Sequence, residues 1–353
     1  MRMLIISPNF HCLGGVSNHY LGLSSHWTFD VKYIFYGKRN NYMPVWKTLL
    51  FYPYDYIRTL YKLLFDQIDV VVINPSLRRP QLIRDGLFLL LARACKKTVV
   101  TFIHGFDESY AKKKAGKKGL FQWCYNKSLF IYTLCSDFEL QLRKAGIKCP
   151  ILLTSTKVST RLLEGVNVKP RKSINNILFV ARINKEKGIF IALQTFELLK
   201  KKYAYLSFTI CGDGPALSEA KKYVEENDVQ DVIFRGSIAN KELRDEYLKG
   251  DIYILPTTWG EGMATSVLEA MAFGLPIVTR PKGGVVDFFT SEMGFLVESL
   301  RPRDYASIID LLIQNSRKIE KISAYNIKYA REHFMADKVT AKFERDIESF
   351  YNK

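Results

Sequence analysis

Cysteine is sparse. The chain has 353 residues and six of them, Cys12, Cys95, Cys124, Cys135, Cys149 and Cys211. No two stand three apart, which excludes a Cys-x-x-Cys site for zinc or redox work, and their scatter fits buried apolar thiols in a reduced chain. Long apolar runs are missing as well. Nothing reaches the roughly 18 residues of a membrane span, and the stretch Leu87–Leu91 stops at Arg93. No Asp-x-Asp occurs, so no obvious carboxylate pair waits for a divalent cation. There is no repeat and no low-complexity tract. With 48% apolar and 25% charged residues, the composition excludes a disordered or fibrous chain. The opening Met1–Ile6 is too short and abrupt for a signal peptide and reads as a buried strand.

Acidic residues are scarce in one half only. Residues 1–170 hold 25 Lys and Arg against 10 Asp and Glu, a balance of +15; the remainder holds 27 against 25, so nearly all of the net +17 lies in the first half. That asymmetry predicts an anionic partner for the first half: a membrane surface, a nucleic acid or a phosphorylated acceptor.

At about 150 residues per domain, the length predicts roughly two domains. Near-continuous apolar runs at Met3–Ser7, Val31–Tyr36, Val70–Asn74, Thr98–His104 and Leu129–Cys135 read as strands covered on both faces. Segments of helical length such as Pro80–Cys95 separate them. The polar, Gly- and Pro-containing stretch Thr154–Asn176 reads as an interdomain linker, after which the rhythm restarts. Strands are predicted at Ile177–Ala181, Leu206–Cys211, Val232–Arg235, Ile252–Leu255, Pro276–Thr279 and Phe295–Val297. Helices are predicted at Ile189–Lys201, Pro215–Glu226, Lys241–Lys249 and Thr265–Phe273, and the tail from Arg303 is helical in pattern. Two βαβα rhythms imply two doubly wound α/β domains with parallel sheets facing a cleft, and ligands at the carboxyl ends of the strands.

The densest motif runs from Trp259-Gly260-Glu261-Gly262-Met263-Ala264 through Thr265 and Ser266 to Glu269, then ends at Gly274-Leu275-Pro276. A glycine loop just before a helix offers free N–H groups to an anion, and Thr265 or Ser266 is placed to cap that helix. Taken alone, the segment reads equally as a helix with two solvated glutamates. In Arg182-Ile183-Asn184-Lys185-Glu186-Lys187-Gly188, Arg182 ends a predicted strand and Lys187 precedes a helix. Such a pair can hold a diphosphate, or can simply be surface charge. Gly212-Asp213-Gly214-Pro215 forms another strand-to-helix turn, without the third glycine of a dinucleotide fingerprint. In the first half, Gly14-Gly15-Val16 follows the first strand, where backbone amides can meet a phosphate or sugar oxygen or merely connect elements. His104-Gly105 ends the strand Thr98–Ile103; a lone strand-end histidine is more often structural than catalytic.

Taken in order, Gly14-Gly15-Val16, His104-Gly105, Arg182 with Lys187-Gly188, Gly212-Asp213-Gly214-Pro215 and Glu261-x7-Glu269 resemble the retaining glycosyltransferases of family 4, over essentially the whole chain. The resemblance implies the GT-B architecture of two Rossmann-like doubly wound domains facing a central cleft. The implied organisation is an acceptor-binding domain over 1–165, a nucleotide-sugar domain over 166–332 and a last helix over 333–353 that crosses back to the first domain. It further implies that Glu269 holds the ribose, Glu261 contacts the donor sugar, Arg182 and Lys187 bind the diphosphate, and His104 faces the transferred sugar. Gly14, Gly15, Gly212, Gly214, Met263, Ala264, Thr265 and Ser266 complete the implied donor site. Two departures stand out. Thr154-Ser155-Thr156-Lys157-Val158-Ser159 replaces an Asn-Gly-Val-Asp common in such families, and Ala181 stands where glycine is common.

The expected reaction is transfer of a hexose-type sugar from a UDP- or GDP-sugar, with retention, to a lipid-linked saccharide in bacterial surface polysaccharide synthesis. A front-face mechanism without metal or cofactor is expected, with cations and helix amides stabilising the departing diphosphate. Lys112, Lys113, Lys114, Lys117 and Lys118, together with Tyr42, Trp46, Phe51, Tyr52, Tyr54 and Tyr56 interleaved with Lys47 and Arg58, suit an anionic bilayer surface. A cytoplasmic protein held peripherally at the inner face of the membrane is therefore expected, with no nucleic-acid partner. The rival readings are a nucleotide-sugar epimerase of similar two-domain build and a non-enzymatic binder of anionic polymers, the latter lacking any recognisable nucleic-acid motif.

Overall fold

The computed structural model describes residues 1–12, 14–77, 79–106, 119–260 and 262–352. The chain divides into two units, Met1–Lys157 with Ala336–Lys353, and Val158–Met335.

In the first unit the strands are β1 Arg2–Pro8, β2 Asp30–Tyr36, β3 Val70–Ile73, β4 Ser76–Leu77, β5 Thr98–Ile103, β6 Gly105–Phe106, β7 Phe130–Thr133 and β8 Ile151–Leu153. Its helices are α1 Gly15–Leu23, α2 Val45–Phe65, α3 Arg79–Ala94, α4 Leu120–Tyr125 and α5 Ser136–Lys144. Six strands form a parallel sheet in the order β2-β1-β3-β5-β7-β8, and β4 pairs with β6 beside it. Every residue of β3 and β7 is buried, as their unbroken apolar sequences require of strands with helices on both faces. The order reverses between β1 and β3, so the carboxyl ends of those strands open a crevice.

The second unit comprises α6 Thr160–Leu163, β9 Asn176–Val180, a 3-10 turn Lys185–Lys187, α7 Ile189–Lys200, β10 Ser207–Cys211, α8 Leu217–Glu226, β11 Val232–Gly236 and α9 Asn240–Lys249. It continues with β12 Ile252–Leu255, α10 Thr265–Ala272, β13 Ile277–Thr279, β14 Gly294–Leu296, α11 Pro302–Ile313 and α12 Ser316–His333. All strand pairs are parallel, in the order β11-β10-β9-β12-β13-β14. Counted within the unit this is 3-2-1-4-5-6, the Rossmann order, with its switch point between β9 and β12.

Three expectations need correction. Thr154–Asn176 is more than a linker. Val158 is fully buried, its N–H donates to the Phe334 carbonyl at 2.7 Å, and Leu162, Val168 and Ile174 enter the second core. The first unit therefore ends at Lys157 rather than at 165, because apolar residues within the polar stretch pack into the second unit. The terminal helix α13, Ala336–Tyr351, starts later than 333, because Phe334 packs in the second core. That helix lies on the first unit: Glu344 accepts from the Thr28 N–H and hydroxyl at 2.7 Å each, and Tyr132 donates to Asp346 at 2.8 Å. Thirdly, the aromatic and basic residues after Tyr42 do not share one face. α2 sorts them by helical period, turning Tyr52 and Tyr56 toward the core while Trp46 and Tyr54 stay exposed. The lysines at 112–114, 117 and 118 lie outside the described residues.

Candidate functional site

The described residues among those singled out in the second half converge at the carboxyl edge of β9, β10 and β12. From the end of β9 the chain continues as Ala181-Arg182, with Arg182 exposed. The turn is pinned by glycines. A Cβ on Gly212, whose φ is +142°, would lie 1.9 Å from the Ala181 carbonyl oxygen; one on Gly214 would lie 2.3 Å from that of Ile183. Glycine thus lets the two loops touch, and the Ile183 N–H reaches the Asp213 carbonyl at 2.9 Å.

Lys187 closes a 3-10 turn. Its N–H is capped by the Asn184 side chain at 3.0 Å, and Gly188 follows at φ +81°. The Glu186 carbonyl accepts from the Thr258 N–H at 2.7 Å and from both the Thr257 and Thr258 hydroxyls at 3.2 Å, which fastens the turn to the loop after β12. The Lys187 side chain is partly buried, and desolvation lowers its pKa to about 8. A buried ammonium of that kind gains from a bound anion that restores its charged form.

α10 starts beside this turn. Neither Thr265 nor Ser266 occupies the N-cap, contrary to expectation: Ala264 stands there and offers no side-chain cap, and Ser266 lies inside the helix, where its hydroxyl pairs with the Tyr253 hydroxyl at 2.7 Å. The Tyr253 hydroxyl also lies 2.9 Å from the Val180 carbonyl, so one buried tyrosine ties the first turn of α10 to the end of β9. Tyr247, fully buried, donates to Glu269 Oε2 at 2.9 Å. Glu269 is therefore a held carboxylate, not a solvated one. Burial first, and then the neighbouring Glu269 charge, drive the Tyr247 pKa well up, so the phenol stays a donor. The helix ends in a Schellman turn, with Gly274 at φ +75° giving its N–H to Met271 and Leu275 giving its N–H to Ala270. Upstream, the Gly262 carbonyl accepts from the Gly284 N–H at 2.6 Å, and Met263 is half-buried. Glu261 lies outside the described residues.

The first unit holds its own group. His104, at the end of β5, stacks on Phe102 at 3.6 Å between ring centroids, and its Nε2 lies 3.1 Å from Asn74 Oδ1. Asn74 Nδ2 donates to the Ile6 carbonyl at 2.9 Å, which fixes the amide orientation, and Oδ1 also accepts from the Tyr20 hydroxyl at 2.7 Å. Nε2 must then carry the proton, leaving Nδ1 as the ring's acceptor. Desolvation lowers the His104 pKa to about 3, so the ring is neutral at physiological pH. Gly14 and Gly15 begin α1 with no side-chain cap, both exposed, and open space surrounds the position a Cβ on Gly15 would take. Sequence reasoning missed Asn74, Tyr247 and Tyr253, whose contacts span 30, 22 and 13 residues. It also missed His19, which is buried with neither ring nitrogen bonded and packs 5.2 Å from His104. The only available signal was its position one helical turn after Gly15.

A cavity of about 410 Å³ opens at the carboxyl ends of β1, β2 and β3, lined among others by Tyr36, Tyr52, Asn74, Gln81 and Arg84. Gln81 Oε1 is buried there without a partner. Among the described residues no cluster of His, Cys, Asp and Glu is arranged to hold a metal ion, and no helix is long and apolar enough to cross a membrane.

Comparison with known proteins agrees with this geometry. Residues 167–333 match the sequence profile of the family described as "Glycosyl transferases group 1". The chain is similar to the putative colanic acid biosynthesis glycosyltransferase WcaL of Escherichia coli K12, 24% identical over 212 residues that cover 56% of this chain and 51% of that protein. It is also similar to the amylovoran biosynthesis glycosyltransferase AmsK of Erwinia amylovora, 27% identical over 166 residues, 44% of this chain and 41% of that one. The chain thus spans about half the length of these curated relatives, or less. Among solved structures it resembles HepE of Anabaena in complex with UDP, with a TM-score of 0.74, 14% identity and coverage of 99% and 100% of the two chains. Residues 167–333 thus resemble a glycosyl transferases group 1 domain, within a chain of GT-B fold.

Proposed function

We propose that the protein is a retaining glycosyltransferase of the family 4 kind. It moves a hexose-type sugar from a UDP- or GDP-sugar to a lipid-linked saccharide in bacterial surface polysaccharide synthesis, at the inner face of the membrane. One observation carries the reading: Arg182, Lys187, the N-terminus of α10 and a carboxylate fixed by Tyr247 meet at the switch point of a 3-2-1-4-5-6 parallel sheet. Helix amides and two cations suit a diphosphate, and a held carboxylate beyond them suits ribose hydroxyls. The named relatives in polysaccharide biosynthesis and the UDP bound by HepE favour the same donor class.

In the reaction the bond between the anomeric carbon and the diphosphate oxygen breaks, and negative charge builds on the leaving oxygens. Arg182, Lys187 and the amides of Thr265 and Ser266 stabilise that charge without reorganising. The acceptor hydroxyl attacks from the face the diphosphate leaves, and its proton passes to a leaving-group oxygen. Glu269, occupied with Tyr247 and ribose, takes no part in bond making, which disfavours a two-carboxylate glycosidase route. Glu261 on the donor sugar rests on the resemblance alone. The neutral His104, with Nδ1 as acceptor, suits a sugar hydroxyl. The 410 Å³ cavity, with its unbonded Gln81 oxygen, suits the acceptor saccharide. The +15 balance of residues 1–170 favours an acceptor presented on an anionic membrane.

A thermal-shift panel of UDP-, GDP- and ADP-sugars tests the donor assignment. A true donor at 100 times its dissociation constant adds about 2.7 kcal/mol of stability. A panel in which none shifts the transition refutes it. Turnover is expected to persist in chelator; loss reversed by magnesium or manganese contradicts the metal-free route.

A further inference from the structure

We propose that the outward face of α2 is a bilayer-docking surface that lies in the plane of an anionic membrane and inserts its apolar side chains. The inference deepens the membrane part of the proposed function by assigning it to one helix. Trp46, Leu50, Tyr54, Ile57, Tyr61 and Leu64 follow one another at intervals of three and four residues, so they form a single stripe along the helix. Each is 57–69% exposed. The opposite face of the same helix is spent on the core, through Asp55, Thr59 and Leu63. The stripe runs the length of 21 residues, about 31 Å. Ile83 and Leu87 of α3, which packs beside α2, are each 48% exposed and widen it. A soluble monomer rarely leaves so long an apolar band uncovered.

Charge and side-chain type select the occupant. α2 carries Lys47, Arg58 and Lys62 but only one carboxylate, Asp55, which is fully buried and paired with Arg39. Asp66, just past the helix, is already shared by Lys32 and Lys62. Two copies meeting along this stripe would set cations against cations with no outward carboxylate in α2 to pair them, where interlocking helices need complementary flanks. An anionic headgroup layer supplies the missing charge. Tryptophan and tyrosine within the stripe are the residues that settle at a membrane–water interface, and the Lys47 ammonium, 5.4 Å over the Trp46 ring, can reach headgroups while its stem stays apolar. The helix does not meet the requirements for crossing a bilayer, so it lies along the surface.

The test is flotation of the full chain with phosphatidylglycerol–phosphatidylcholine vesicles and with pure phosphatidylcholine vesicles, for the wild type and the double variant Leu50→Glu, Ile57→Glu. The wild type is expected to float with anionic vesicles, with salt weakening but not abolishing binding. The variant is expected to lose about a hundredfold in partitioning, from two apolar side chains withdrawn and two negative charges added. An unchanged thermal shift with the best nucleotide of the donor panel shows that the variant is folded. Wild type and variant that float equally overturn the assignment to α2 and leave the membrane reading standing. A wild type that floats with neither lipid overturns both. A wild-type dimer in sedimentation velocity that the variant dissolves shows a second copy as the occupant and overturns the proposal.

Discussion

Tyr247→Phe isolates the hold on Glu269. The substitution removes one oxygen and keeps the ring, which stacks on Phe273 at 5.2 Å and 8°. What is lost is a hydrogen bond of 2.9 Å to a carboxylate. Such bonds contribute about 1.5–3 kcal/mol when one partner is charged. Glu269 is only partly buried, so water can replace the phenol, and the lower end applies: about 1.5 kcal/mol. In a unit of this size that lowers the melting temperature by roughly 3–6 °C. The functional effect reaches the same size if the whole bond serves to aim Glu269, about a tenfold weaker UDP affinity by calorimetry. Pyrophosphate, which has no ribose, should bind the variant as it binds the wild type. Loss of stability with UDP affinity unchanged would refute the reasoning and reduce Glu269 to a structural carboxylate.

Two further outcomes follow from the same site. Gly188→Ala places a methyl 2.3 Å from the Pro256 carbonyl at a φ of +81°, while Gly165→Ala meets only the strain of a φ of +70° in open space. Both should lose the roughly 1–2 kcal/mol of a left-handed alanine, but only Gly188→Ala should also displace Lys187 and weaken UDP binding, as paired melting and calorimetry will show. The Lys187 pKa of about 8 sets a pH dependence. Below that value the ammonium is already charged; above it, binding a diphosphate must take up a proton, so UDP affinity should fall up to about tenfold per pH unit from 8 toward 10. Lys187→Gln should flatten the profile, and a wild-type affinity independent of pH across that range contradicts the role.

The parts of the molecule legible in sequence are those decided by nearby residues. Strands such as Ile252–Leu255 and Val70–Ile73 are announced by unbroken apolar runs, and Gly188, Gly212 and Gly274 mark turns that a side chain cannot make. The parts hidden from it depend on distant partners. Ser266 looks like a cap until Tyr253 claims its hydroxyl, and Glu269 looks solvated until Tyr247 reaches it. His104 acquires its tautomer from Asn74, 30 residues away. Val158, Leu162 and Val168 sit in a stretch polar enough to pass for a linker, yet the second core takes them in. α2 contains Pro53, a residue that ordinarily breaks helices, on its exposed side.

The proposed function stands or falls on whether the second unit grips a nucleoside diphosphate at the switch point of its sheet. The most direct measurement is a crystal structure of the chain with UDP or GDP. The diphosphate is expected against Arg182, Lys187 and the first amides of α10, with the ribose on Glu269; a nucleotide bound elsewhere, or a site left empty by both, contradicts the proposal.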